Sequence, residues 1–260
     1  MSHYTVLVVG DDVDSQLAPF DETLSTEFHV EVPAGQLYKR VKEIIKMLKK
    51  NDELRSKYEA LMEKGNYEDI LKSYYGGHRN SKGEWGYDHN PDAKWDWYTI
   101  GGRWSGYFKL KKGAKGTLGR PGVFDNKPKA GYVDQARFGD IDWEGMRTDA
   151  LIEAEKNYDE FMAKYKDADK KTKTSLSFEY GVSTMSKSKK LETKKHYLKR
   201  CVDFSPFAIL KDGEWHESGN MGWFGISTGN KRHSVWDKEV KKLFGEISND
   251  TLISIVDCHI

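Results

Sequence analysis

Residues able to do chemistry crowd into one stretch of the chain, Lys94-Trp-Asp-Trp-Tyr-Thr-Ile-Gly-Gly-Arg-Trp104. Trp95, Trp97, Tyr98 and Trp104 offer flat faces that stack on a nucleobase or another planar group. Arg103 carries a planar fork that pairs with phosphate or carboxylate. Gly101 and Gly102 would let a ligand approach the backbone and reach its N–H groups. Asp96 is either a further ligand contact or the partner of Arg103. Together these residues suit a small anionic ligand of nucleotide type. They suit equally well a half-buried hairpin whose tryptophans fill a core. Met221-Gly-Trp-Phe-Gly225 repeats the theme, so that Trp223 could line the same pocket.

A second set of residues lies at two acidic strand ends. Asp11 and Asp12 follow the first apolar run, and Asp257, Cys258 and His259 close the last one. If the two strands are neighbours, carboxylates, a thiol and an imidazole could meet at one sheet edge. That set would serve general acid–base chemistry or a metal, with Asp11, Asp12, Asp257 and His259 as the candidate catalytic groups. The plainer reading makes the aspartates turn or cap residues and Cys258 a small buried hydrophobe. No Walker A loop, no Gly-x-Gly-x-x-Gly opening a helix, no His-Glu-x-x-His and no Cys-x-x-Cys occurs, so no cofactor and no metal is expected. His3-Tyr-Thr5 matches half of the paired His-x-Thr/Ser pattern of two-histidine phosphoesterases. The second half is missing, because His233 runs directly into Ser234.

The elements that must position these groups can be read from periodicity. Thr5-Val-Leu-Val-Val9, ended by Gly10, predicts a strand buried on both faces. Glu27 to Val32 alternates like a strand and stops at Pro33. Leu37, Val41, Ile44, Ile45 and Leu48 fall on one helix face. A second helix runs from Asn51-Asp52 to about Lys64, and a third ends near Tyr75. Residues 76–94 read as a surface loop and residues 111–131 as a mobile loop. A charged helix extends from Asp142 to about Asp167 and is broken at Lys170 to Thr174. Residues 187–200 are too rich in lysine to be deeply buried. Asp212-Gly213 predicts a hairpin turn, Trp236 to Gly245 a short helix, and Leu252 to Ile260 a last strand. The expected fold is one α+β domain over residues 1–260, a single mixed sheet containing both terminal strands with helices packed on it.

Composition narrows the classes of function. Forty-two basic and 41 acidic side chains leave a net charge of +1, which gives no global field for general nucleic-acid binding. The apolar runs are too short to span a bilayer, so no membrane partner is expected. Two cysteines, Cys201 and Cys258, and no leader pattern predict reduced thiols in a cytoplasm. Eight Trp and 14 Tyr supply the bulk of a core in a chain only 37% hydrophobic.

Three blocks carry a resemblance. Tyr4 to Asp12 with Gln16 to Glu22, the Lys94–Trp104 segment, and Val256-Asp-Cys-His-Ile260 look like those of a family of tailed-bacteriophage proteins. The resemblance assigns no residue a role. It implies a viral accessory protein in a bacterial host cytoplasm, of a class that includes anti-defence proteins acting on nucleotide immune signals. Sequestration of such a ligand is the leading expectation. An enzyme of phosphodiesterase type that degrades it is the alternative, and a direct inhibitor of a host protein is the third. Assembly with further copies of the chain stays open.

Overall fold

The computed structural model describes residues 2–49, 52–122, 127–183, 191–222 and 225–260. The chain forms two compact units, one made of Met1–Leu17 with Trp97–Ile260 and the other of Ala18–Asp96. None of the described helices is long and apolar enough to cross a membrane.

The first unit is built on a mixed sheet. His3–Val9 runs antiparallel to Leu252–His259 along its whole length, from His3 opposite His259 to Val9 opposite Ile253. On its other side it pairs in parallel with Ala208–Lys211, which forms a hairpin with Glu214–Glu217. Leu252–His259 also pairs with Gln135–Arg137 and with Trp97–Gly102. Both terminal strands therefore lie inside one mixed sheet with helices around it, as the β-branched runs at each end predict. The Asp212-Gly213 turn takes positive φ at both residues, 54° and 78°, the backbone of a tight hairpin turn.

One face of this sheet makes the main core. Leu7, Val9, Ile209, Ile253 and Ile255 pack against Trp236, Val240 and Leu243 of the helix His233–Gly245. Complete burial of each such side chain is worth about 1.5–3 kcal/mol. The helix is pinned as well as packed, since the Trp236 indole N–H donates to the Pro206 carbonyl at 2.9 Å.

The long helix Trp143–Tyr165 begins where Asp142 accepts the Gly145 N–H at 2.9 Å. Lys170 starts a new helix, Lys170–Glu179, because Asp169 caps it through the Thr172 N–H. Lys194–Val202 is helical and buries only Tyr197, in keeping with its lysine content. These three helices share a core of Ala154, Tyr158, Phe161, Leu176 and Tyr197.

In the second unit, the helices Leu37–Met47, Glu53–Glu63 and Tyr67–Tyr75 enclose Val41, Ile44, Tyr58, Ile70 and Leu71. Residues 76–94, expected as a loop, contain the strands His78–Arg79 and Trp85–His89, which join Ser25–Val32 in a small antiparallel sheet. Polar composition hid them, because their anchors are a single buried Trp85 and a glycine. A Cβ on Gly86 would lie 1.8 Å from the His29 carbonyl oxygen. Short strands at Gly116–Thr117 and Arg120–Pro121 likewise interrupt the expected loop 111–131.

Candidate functional site

The Trp95–Trp104 segment is divided between the two units. Trp95 is buried and Asp96 is half-buried in the second unit, where Trp95 bridges to Asp21. Trp97–Gly102 is a strand of the first unit, and its side chains alternate. Trp97 and Thr99 lie opposite His259 and Asp257, whereas Tyr98 lies opposite Cys258. Trp97 is 41% exposed. The Tyr98 hydroxyl donates to Asp14, and burial together with that bond raises its pKa. Trp104 is half-buried, its N–H donating to the Gly101 carbonyl at 3.0 Å. Trp223 lies outside the described residues.

Gly101 and Gly102 have a specific physical reason to be glycines. Both have positive φ, 79° and 54°, and both press against buried carboxylates. A Cβ on Gly101 would sit 2.4 Å from Asp134 Oδ2, and one on Gly102 would sit 2.4 Å from Asp257 Oδ2. Asp134, fully buried, gathers the turn that follows. It accepts the Ser105 hydroxyl at 2.9 Å, the Gly106 N–H at 2.5 Å and the Gly119 N–H at 2.8 Å. Asp257 accepts the Arg103 main-chain N–H at 2.9 Å. Within the Gly-Gly-Arg stretch the Arg103 N–H thus faces the protein's own Asp257, and the two glycines leave room for the carboxylates packed against them.

Asp257 is also the centre of a polar cluster that sequence reading reached only in part. Its Oδ1 lies 2.8 Å from His3 Nδ1. The Trp97 ring stacks on His259 at 5.1 Å, and His3 meets both rings edge-on at 5.2 and 4.9 Å. Asp257 and His259 are 1% and 4% exposed. His3 is not among the sequence candidates, because its signal there is half a motif; its place follows from strand register. Cys258 points to the opposite face, and burial pushes its thiol pKa well up, with Asp257 adding to the effect.

Asp11 and Asp12 do not join this cluster. The two strands are neighbours but antiparallel, so the aspartates leave the sheet beyond Val9, opposite Ile253. The six-residue offset from there to His259 is about 20 Å along a strand. Asp12 is a cap, accepting the Ser15 N–H at 3.1 Å and its hydroxyl at 2.7 Å, and these bonds lower its pKa. Asp11 offers its carbonyl to Gln16.

An aromatic-walled cavity of the first unit lies elsewhere. It measures about 510 Å³ and opens beside the helices Trp143–Tyr165 and His233–Gly245. Tyr107, Trp143, Phe204 and Phe244 form its aromatic wall. Trp143 contacts Phe204 at 5.1 Å and Phe244 at 5.3 Å, and Tyr107 meets Phe204 edge-on at 5.4 Å. Burial pushes the Tyr107 hydroxyl up to about 12. The rim is charged. Asp149 receives Lys109 at 2.6 Å and the Tyr132 hydroxyl at 2.5 Å, which hold its carboxyl below the usual range. Burial first, and then the bond to Asp149, push Tyr132 up to about 12. Asp237 pairs with Lys241 at 2.7 Å, and Lys129 and Arg147 complete the cationic lining. Cavities of this size with apolar walls and a few polar groups are the usual form of small-molecule sites.

No described group of three or more His, Cys, Asp or Glu side chains is arranged to hold a metal ion. Comparison with known proteins finds no matching family model, no matching curated protein and no matching solved structure.

Proposed function

We propose that the protein binds and sequesters a small anionic ligand of nucleotide type, whose ring lies in the aromatic cavity beside Trp143. One observation carries this reading: a ligand-sized cavity is walled by rings that brace one another through edge-on and tilted contacts. Mutual bracing fixes the wall before any ligand arrives, so little side-chain entropy is lost on binding. A purine-sized ring gains stacking worth about 1–3 kcal/mol on such a surface. In this reading Trp97, Gly101, Gly102 and Arg103 are architecture, holding the strand end around Asp134 and Asp257. The resemblance to tailed-phage proteins makes a host nucleotide signal the natural ligand of such a trap.

Ala150 lines the cavity from the helix Trp143–Tyr165. Ala150→Leu projects a larger side chain into it at little cost to the helix. Equilibrium dialysis against a panel of mononucleotides and cyclic dinucleotides is expected to show retention by the wild type. Retention falls at least about tenfold in Ala150→Leu, a loss of about 1.4 kcal/mol. Equal retention by the two proteins refutes the assignment.

The His3–Asp257 pair favours a second reading, a hydrolase acting on the same class of ligand. Asp257, held by His3 and by the Arg103 N–H, would orient the imidazole so that Nε2 moves a proton. This reading requires a product, and its loss in a folded His3→Ala variant.

A further inference from the structure

The aromatic cavity holds a ring well, but its rim does not select an anion. Three cations, Lys129, Arg147 and Lys241, face four carboxylates, Asp149, Glu153, Asp203 and Asp237. A second cavity in the same unit, of about 350 Å³, has the opposite character. Lys199, Arg200 and Arg232 line it with His196 and His233, and among the described residues Asp203 is the one carboxylate lining it.

The two cavities adjoin. Asp203 lines both. His233 and Ser234 face the basic cavity, while Asp237, Val240, Lys241 and Phe244 face the aromatic one. Spacings of three, four and seven residues put these side chains along one face of the helix His233–Gly245. The step from Ser234 to Asp237 is less than one turn of about 5.4 Å. The helix Lys194–Val202 and the residue Asp203 line the same two cavities, with Lys199 and Arg200 on the basic side and Cys201 and Val202 on the aromatic side.

The basic cavity is built rather than incidental. Arg200 is held by two bonds to the buried Glu192 carboxylate, at 3.1 and 2.9 Å, and His196 reaches the same carboxylate at 2.5 Å. Among the described residues, Lys199 and Arg232 make no ion pair. Their charge is therefore not spent on a neighbouring carboxylate. The amino-terminal turn of the helix His233–Gly245 contains no acidic residue, so its dipole adds to the same sign.

We propose that this basic cavity is the phosphate subsite of the ligand whose ring occupies the aromatic cavity. The inference rests on the ring-binding reading and narrows it to a phosphorylated aromatic compound. Lys199 and Arg232 bind the phosphate directly, and Arg200, braced by Glu192, shapes the floor.

Inorganic pyrophosphate tests the subsite alone. Calorimetric titration of the full chain at low salt is expected to show binding that weakens as salt is added. Lys199→Ala and Arg232→Ala each weaken it about tenfold or more, as expected for loss of one charge-assisted contact. Ala150→Leu, which fills only the aromatic cavity, leaves pyrophosphate affinity unchanged. Both alanine variants alter exposed side chains, and an unchanged circular dichroism spectrum verifies their fold. Absence of pyrophosphate binding, or equal binding by wild type and both variants, overturns the inference. Failure of the ring reading looks different: Ala150→Leu then retains nucleotide as the wild type does, while Lys199→Ala and Arg232→Ala still lose pyrophosphate.

Discussion

Replacing Gly101 with alanine separates two reasons for a glycine at that position. The first is backbone conformation: φ is +79°, in the left-handed region that costs an L-residue about 1–2 kcal/mol. The second is space, because the new methyl carbon would lie 2.4 Å from Asp134 Oδ2, well inside contact distance. Asp134 cannot yield without loosening its bonds to Ser105, Gly106 and Gly119. Each buried donor left without its acceptor costs about 1–3 kcal/mol. With one or two of them disturbed, Gly101→Ala is expected to destabilise by about 2–8 kcal/mol. Gly113 supplies the control. Its φ is +84°, and a Cβ there meets nothing within 4 Å. Gly113→Ala should therefore cost only the backbone strain, about 1–2 kcal/mol. Urea unfolding of the two variants, followed by circular dichroism, gives the comparison. If both lose the same stability, the close approach to Asp134 is not what the glycine is for, and the architectural account of the Gly-Gly pair fails.

Three further outcomes follow from the same geometry. Burial works against a charge on Glu192, but Arg200, His196 and the Ser183 N–H outweigh it and hold the carboxyl at about 2, down from 4.5. Its stabilisation is present above pH 4.5 and drains away as pH falls toward 2. Glu192→Gln should cost about 2–3 kcal/mol, less than the 3–5 of a fully buried pair because Arg200 is 35% exposed, and should flatten this acid limb in pH-dependent urea unfolding. Tyr107 and Tyr132, both pushed up to about 12, should keep their protons in an ultraviolet alkaline titration until pH passes well beyond 10. Their contribution to stability is whole below pH 10 and is lost as pH rises through 12. Cys258, buried and with its thiol pKa raised, should resist thiol reagents in the native protein while the half-buried Cys201 reacts; urea should abolish the difference.

Much of the fold was legible because single segments carry their own signal. The β-branched run Thr5–Val9 reads as a strand covered on both faces, and Asp212-Gly213 signals a tight turn. The site was legible in types but not in roles. Glycine, tryptophan and arginine together are consistent with a ligand and with a crowded strand end. The approach of Asp134 and Asp257, the latter bonded 154 positions away from Arg103, accounts for the glycines through the crowded strand end. Register likewise separated Asp11 and Asp12 from Asp257 and joined His3 to it, an outcome set by strand direction and invisible in spacing. The aromatic cavity had no local signal at all. Tyr107, Trp143, Phe204 and Phe244 come from separate segments, each of which reads as ordinary core, and only their packing leaves a space between them.

The central claim is that the first unit captures a phosphorylated aromatic ligand intact. Its most direct test is to incubate the wild-type chain with a nucleotide panel, remove unbound material by ultrafiltration, denature by heat and identify the released compounds by mass spectrometry. The account predicts that at least one nucleotide is retained and then released unchanged, and that Ala150→Leu and Arg232→Ala release far less of it. Release of a cleaved product would contradict sequestration in favour of the hydrolase, and retention equal in all three proteins would contradict the site itself.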